Sequence, residues 1–195
     1  MVENTKGKVF VITGPSGVGK GTIVSQVLQK VNNIYLSVSA TTRSKREGEK
    51  EGFHYFFKNQ EDFKKLIDDG EFLEWAECAG DYYGTLKFQV NNHVSCGKDV
   101  ILEIELQGAK LIREKCPGAV LIFLAPPSFA ALEERLIKRQ TESIDKVKIR
   151  LKKAEQEMKE IGLFHYLVVN DKLDEAVNNV IGIILAERCR IRGKS

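Results

Sequence analysis

The chain has 195 residues, 43% apolar and 29% charged, with a formal net charge of +3. This length can bury a core of its own, and the near-neutral balance gives no reason to expect a nucleic-acid partner. No run approaches the roughly 18 apolar residues of a membrane span, and the opening MVENTKGK lacks the apolar stretch of a leader peptide. The expectation is a cytoplasmic protein with no membrane partner. Cys78, Cys96, Cys116 and Cys189 are widely spaced with no CxxC, so they read as free thiols. His54, His93 and His165 form no metal-spaced set.

Along the chain, residues 8–13 (KVFVIT) read as a buried strand. A glycine-rich turn follows, then a helix over about 19–31 with Ile23, Val24, Val27, Leu28 and Val31 on one face. Residues 34–40 alternate as a strand. The stretch 41–52, TTRSKREGEKEG, is charged and broken by glycine, so it is expected on the surface. Residues 54–57 are aromatic and extended, 59–69 form a short helix, and 72–76 and 82–85 are short strands. Strands at 100–104, 119–124 and 166–169 then alternate with helices at 107–115, 129–138, 145–160 and 173–190. The near-continuous apolar run 119–124 suits a central parallel strand. The pattern predicts an α/β fold, a parallel sheet with helices on both faces. Residues 1–36 and 91–195 build it, and a small extended lobe at 37–90 is inserted. A polar break at 139–148 marks a helical lid over about 135–150.

The stretch VFVITGPSGVGKGT fits GxxxxGK between a strand and a helix, the context that motif requires. Gly14, Gly17 and Gly19 let backbone N–H groups converge on phosphate oxygens. The helix N-terminus adds unpaired donors, and Lys20 adds a point charge for the β and γ phosphates. Pro15, Ser16, Val18, Gly21 and Thr22 complete the loop; Ser16 is either a phosphate donor or a serine that stabilises the turn. Gly21, not a hydroxyl residue, directly follows the lysine, and Thr22 supplies the hydroxyl one place later. That order resembles nucleoside and nucleotide kinases more than GTPases, and no NKxD guanine-reading motif is present. Thr22 is the candidate to approach phosphate or magnesium-bound water.

A phosphate cradle names a donor, so the acceptor must be sought elsewhere. In SATTRSKREGE, Arg43 and Arg46 lie three apart, near Ser39 and Glu49. They could fork onto a second phosphate or belong to a solvated charged loop. Tyr55 and Tyr83 add phenolic donors. Glu74 sits in the apolar-aromatic run FLEWA, where a buried carboxylate would need a partner. Guanine offers N1–H and its 2-amino group side by side, which one carboxylate can accept together; adenine has no such pair. In ILEIEL, Glu103 and Glu105 alternate with apolar residues and are expected on the same side of one strand.

These stretches together resemble the guanylate kinase family. GPSGVGKGT, SATTRSKREGE, HYFF, EFLEWAECAGDYYGT, GKDVILEIELQG, FLAPPS, RLIKRQTES with the following IRL, and VVND carry the resemblance in order and spacing, over residues 8 to about 187. It implies a P-loop NTPase-type fold and transfer of the γ-phosphate of MgATP to GMP, and to dGMP, giving ADP and GDP in purine nucleotide metabolism. It implies that Arg43, Arg46, Tyr55 and Tyr83 hold the GMP phosphate, with Glu49 in the same site. Ser39, Glu74 and Thr85 would read the guanine. Glu103 would orient an arginine and, through water, magnesium, and Glu105 would lie toward the guanine or the GMP-positioning arginines. Lys20, Arg43, Arg139 and Arg150 would be the catalytic cations, with Arg135 near the nucleotide and Asn170 of VVND near the adenine. Magnesium would be held mainly by phosphates and water, with Thr22 and Glu103 as candidate donors. The implied partners are ATP and GMP, and the family allows a monomer, a homodimer or a larger assembly.

Two positions depart from the family pattern. Glu103 and Glu105 stand where Asp-x-Asp is common. Arg139-Gln140-Thr141-Glu142 stands where RGTE is common, and losing that glycine is expected to stiffen the lid with a modest effect on rate. Two other readings stay open. One is a non-catalytic guanylate-kinase-like module that binds phosphorylated partners, although Gly19 and Lys20 are intact. The other is a P-loop kinase for a different nucleoside monophosphate. Trp75 reads as packing, and the basic RCRIRGKS end as a solvated terminus.

Overall fold

The computed structural model describes residues 6–78, 80–138 and 144–191. The chain divides into two compact units. One takes the start of the chain to Val9 and Asn33–Ala119; the other takes Phe10–Asn32 and everything from Val120. The chain folds as an α/β protein with a central parallel sheet, flanking helices and a small inserted lobe.

β1 (Val9–Thr13), whose residues from Phe10 on belong to the second unit, leads through the glycine-rich loop into α1 (Lys20–Lys30). β8 (Val120–Ala125) is VLIFLA, buried at every position, as a parallel strand covered on both faces must be. It runs parallel to β1, with Phe10 opposite Val120, and to β9 (Tyr166–Val169), with Ile122 opposite Tyr166. α1 buries Ile23, Val24 and Val27. α5 (Phe129–Lys138) and α6 (Ile144–Met158) share a small core of Leu132, Leu136, Val147, Leu151 and Ala154. α7 (Leu173–Cys189) closes the unit.

In the first unit, β2 (Ile34–Leu36) runs parallel to β7 (Asp99–Glu103), and α4 (Leu106–Lys115) follows β7. The inserted lobe has its own sheet, in the order β4-β3-β6-β5. Its strands are β3 (Ala40–Thr41), β4 (Phe56–Phe57), β5 (Phe72–Cys78) and β6 (Asp81–Leu86). α2 (Gln60–Asp68) packs Phe63 on this sheet, stacked on Phe72 at 4.5 Å and on Tyr82 at 5.6 Å. Its start is set by Asn59, whose side chain accepts from the Asp62 N–H at 2.7 Å, with Glu61 and Asp62 placed to favour the helix N-terminus.

The structure departs from the sequence reading in three places. The strand expected over 34–40 is interrupted at residues 37–39, and its halves, β2 and β3, join different sheets. A helix absent from the reading, α3 (Lys87–Ser95), follows β6 directly and buries Gln89 and Val90. Its sequence KFQVNNHVS holds two asparagines and two valines, weak helix formers, and no side chain caps it, so propensity gave no sign of it. Third, β7 stops at Glu103, and Glu105 occupies the N-cap position of α4. The two glutamates therefore do not share one side of a strand, because the chain turns into the helix between them. Among the described residues no helix is long and apolar enough to cross a membrane, and all four cysteines are free thiols.

Candidate active site

In the second unit the glycine-rich loop carries the donor side of the site. Gly19 sits at φ 97°, in the left-handed region that favours glycine, and a Cβ there would lie 2.7 Å from Nδ2 of Asn170. The first turn of α1 has no side-chain cap and no acidic residue, which leaves its N–H groups and dipole available to an anion. Lys20 Nζ donates to the Gly14 carbonyl at 2.6 Å and reaches the Pro15 carbonyl at 3.4 Å. The lysine thus lies folded over the loop that a phosphate would occupy. Arg150 of α6 donates to Ser16 Oγ. Asn170, just after β9, is buried; its Nδ2 donates to the Val18 carbonyl at 2.7 Å and its N–H to the Ala125 carbonyl at 2.8 Å. Arg135 of α5 gives Nη2 to the Asn170 carbonyl at 2.8 Å, and its buried Nη1 has no protein partner among the described residues.

The first unit carries two further groups. Around residue 43, Arg43 Nη2 pairs with Glu49 Oε1 at 2.6 Å, and the other carboxylate oxygen accepts from the Arg46 N–H at 2.7 Å. Arg43 lies over the rings of Tyr55, at 5.3 Å, and Phe57, at 5.9 Å, and Tyr55 meets Tyr83 edge-on at 6.0 Å. The Arg43 hydrogen bond and the Arg46 N–H hold the Glu49 carboxyl down at about 2. Burial raises the Tyr55 phenol, and the neighbouring Tyr83 adds to the rise. Arg46 itself is exposed.

The second group centres on Glu74. β5 alternates so that Phe72, Glu74 and Ala76 are all buried, which places one carboxylate in an apolar row. Oε1 accepts from the Thr85 hydroxyl at 2.6 Å. Burial raises the Glu74 pKa, and the Thr85 hydroxyl and N–H and the charge of Lys115 offset only part of that. The other oxygen faces α4 at Gly108, where a Cβ would stand 2.4 Å from Oε2.

Set beside known proteins, this arrangement matches one family along most of its length. The family model described as guanylate kinase matches residues 6–187. The chain is 48% identical over 189 residues to a guanylate kinase of Syntrophomonas wolfei, covering 97% of each chain. It is 44% identical over 193 residues to one of Desulfitobacterium hafniense, covering 99% of this chain and 96% of the other. The crystal structure of guanylate kinase from Anaplasma phagocytophilum superposes with a TM-score of 0.79 at 32% identity, over 95% of this chain and 88% of that one. The chain belongs to the guanylate kinase family.

Of the residues expected in a guanylate kinase site, the first unit gathers Arg43, Glu49, Tyr55 and Tyr83 in one cluster and Glu74 with Thr85 in another. Ser39 lies in the gap between β2 and β3, its carbonyl accepting from the Phe56 N–H at 2.9 Å. Glu103 ends β7 and Glu105 precedes α4. The second unit gathers the loop, Arg150, Arg135 and Asn170. Thr22 is exposed on the first turn of α1. Arg139 and Gln140 lie outside the described residues. Gly108 was missed by the sequence reading, because the group that fills its missing side chain, Glu74 Oε2, comes from a different element, β5. The histidines have structural surroundings: His93 stacks on Tyr35 at 3.7 Å, and Nδ1 of His165 accepts from the Leu121 N–H at 3.0 Å.

Proposed function

We propose that the chain is a guanylate kinase, an enzyme that transfers the γ-phosphate of ATP to GMP and gives ADP and GDP, with dGMP as a second acceptor. The family match along residues 6–187 carries this reading. Glu74 supplies its chemical content, because a buried carboxylate fixed by Thr85 is a ready acceptor for the guanine N1–H and 2-amino group. We place the enzyme in the cytoplasm, acting on soluble nucleotides.

Two sets of residues hold the two substrates. Ser39, Glu74 and Thr85 read the guanine, and Glu105 serves the guanine or the GMP-positioning arginines. Arg43, Arg46, Tyr55 and Tyr83 take the GMP phosphate, and Glu49 pre-orders Arg43 and the Arg46 backbone for it. ATP lies with its phosphates in the loop Gly14 to Thr22, beside Asn170. Lys20 leaves the Gly14 carbonyl for the β and γ phosphates. A GMP phosphate oxygen attacks the γ-phosphorus in line, and the bond to the ADP oxygen breaks. Lys20, Arg43, Arg135, Arg139 and Arg150 balance the charge spread over the moving group. Thr22 on α1 and Glu103 at the end of β7 would each offer magnesium a single hard oxygen donor, the type this cation prefers. Among the described residues no group of three or more His, Cys, Asp or Glu could hold a metal. When bound with ATP, magnesium neutralises phosphate charge.

The test is ADP formation from MgATP with GMP, dGMP, AMP, CMP, UMP or dTMP as acceptor, beside a control without acceptor. Turnover with GMP and dGMP alone is expected. Turnover with another nucleotide in place of GMP would overturn the Glu74 assignment and keep the fold.

A further inference from the structure

The segment that carries Ser39 is held by a side chain that the substrate contacts leave unused, Gln89 of α3. Gln89 is polar yet only 5% exposed. Its Nε2 donates to the Val38 carbonyl at 2.8 Å. Its Oε1 accepts from the Val38 N–H at 3.2 Å and from the Tyr35 hydroxyl at 3.0 Å. One amide therefore satisfies both main-chain groups of a residue that belongs to neither β2 nor β3, as a neighbouring strand would. The residues on either side are tied by backbone alone: the Ser37 N–H donates to the Ile101 carbonyl at 2.9 Å, and the Ser39 carbonyl accepts from the Phe56 N–H at 2.9 Å. Four residues on, His93 of the same helix stacks on Tyr35, so α3 holds Tyr35 by ring and by hydroxyl.

We propose that Gln89 is a specificity-positioning residue for the guanine. It fixes the Val38 main chain and thereby the direction in which Ser39 presents its hydroxyl. The link is the peptide plane: the Val38 carbonyl and the Ser39 N–H lie in one rigid unit, so pinning the carbonyl sets where the Ser39 Cα and side chain start. Without the amide, that plane can rotate and the hydroxyl loses its aim, and small misplacements of a positioning group carry large penalties. The segment that carries Gln89 also carries a residue of the other base-reading group. β6 runs into α3 without a break, so Thr85, bonded to Glu74, and Gln89, bonded to Val38, stand four residues apart on one continuous segment. The inference rests on the placement of Ser39 in the GMP site proposed above.

The test is steady-state kinetics with GMP, AMP and ATP on Gln89→Met, which keeps the length and removes all three hydrogen bonds, on Ser39→Ala, and on the double variant. Gln89→Met is expected to raise the KM for GMP about tenfold and to lower the preference for GMP over AMP in kcat/KM by a similar factor, with the KM for ATP unchanged. In the Ser39→Ala background the same substitution should add less than about twofold, because the two act through one hydroxyl. Tyr35→Phe, which removes one bond to the amide oxygen, should raise the KM for GMP by about threefold and serves if Gln89→Met does not fold. An equal rise in both KM values, full additivity with Ser39→Ala, or an unchanged KM for GMP where Ser39→Ala alone raises it would each overturn the role of Gln89. A Ser39→Ala enzyme with unchanged GMP kinetics would overturn the placement of Ser39, and this inference with it.

Discussion

Glu74 is held in a state that costs the fold and serves the ligand. Burial raises its pKa above the ordinary 4.5, so the folded protein binds its proton more readily than the unfolded chain does. The sign follows: stability falls as pH rises from the unfolded value through the raised folded one, because the buried charge must then be carried. Glu74→Gln removes that charge while the amide oxygen still accepts from Thr85. It should raise Tm at pH 7 and leave it nearly unchanged at pH 4, as thermal melts at both pH values would show. The same substitution should raise the KM for GMP by about 10- to 100-fold, the loss expected for hydrogen bonds to a charged acceptor. As pH falls through the raised pKa, the wild-type KM for GMP should climb toward that of the variant. The GMP phosphate titrates identically for both enzymes, so the ratio of the two KM values isolates Glu74. Glu49, held at about 2, stays ionised throughout and adds no limb to that profile. Lys20 presents a different case, a part-buried ammonium that the Gly14 carbonyl holds at 2.6 Å and that phosphate would draw away. Lys20→Ala should lower kcat by about 10²-fold or more, with a far smaller change in the KM for GMP.

At the scale of elements, the site is made by close approaches that no single residue announces. α4 comes against β5 at Gly108, and the missing side chain is the space that Glu74 Oε2 occupies. In an isolated helix, Gly108→Ala would stabilise by roughly 0.5–1 kcal/mol. Here the new methyl must displace a carboxylate already fixed by Thr85. The expected outcome is a KM for GMP raised about tenfold with the KM for ATP unchanged, the pattern of a lost ground-state contact. Unchanged GMP kinetics in that variant would mean that the carboxylate moves without penalty. This also shows where the sequence was legible. The loop, β8 and the burial of Glu74 could be read because a motif, a continuous apolar run and a lone carboxylate in an apolar-aromatic stretch mark them. α3, the break at residues 37–39 and Gly108 could not. Their positions are set by partners distant in sequence, such as the Gln89–Val38 pair, and local propensity carries no record of such partners.

For the molecule as a whole, the two substrates are assigned to different units, and that division can be measured without catalysis. A ligand that binds only the folded state stabilises by RT ln(1 + [L]/Kd), about 2.7 kcal/mol at one hundred times Kd. In a chain of this size that shifts Tm by roughly 5–10 °C. GMP alone should therefore raise Tm in the wild-type protein and by a similar amount in Lys20→Ala, whose substitution lies in the unit of the phosphate loop. At the same GMP concentration Glu74→Gln should lose most of that shift. With ATP and magnesium the pattern should reverse: Glu74→Gln keeps the wild-type shift and Lys20→Ala loses much of it. If Lys20→Ala instead abolished the GMP shift, or Glu74→Gln the ATP shift, the assignment of one substrate to each unit would fail. The family match would stand, but the residues carrying each nucleotide would have to be assigned again, because a ligand cannot lose stabilisation through a group it does not touch unless the two units are coupled.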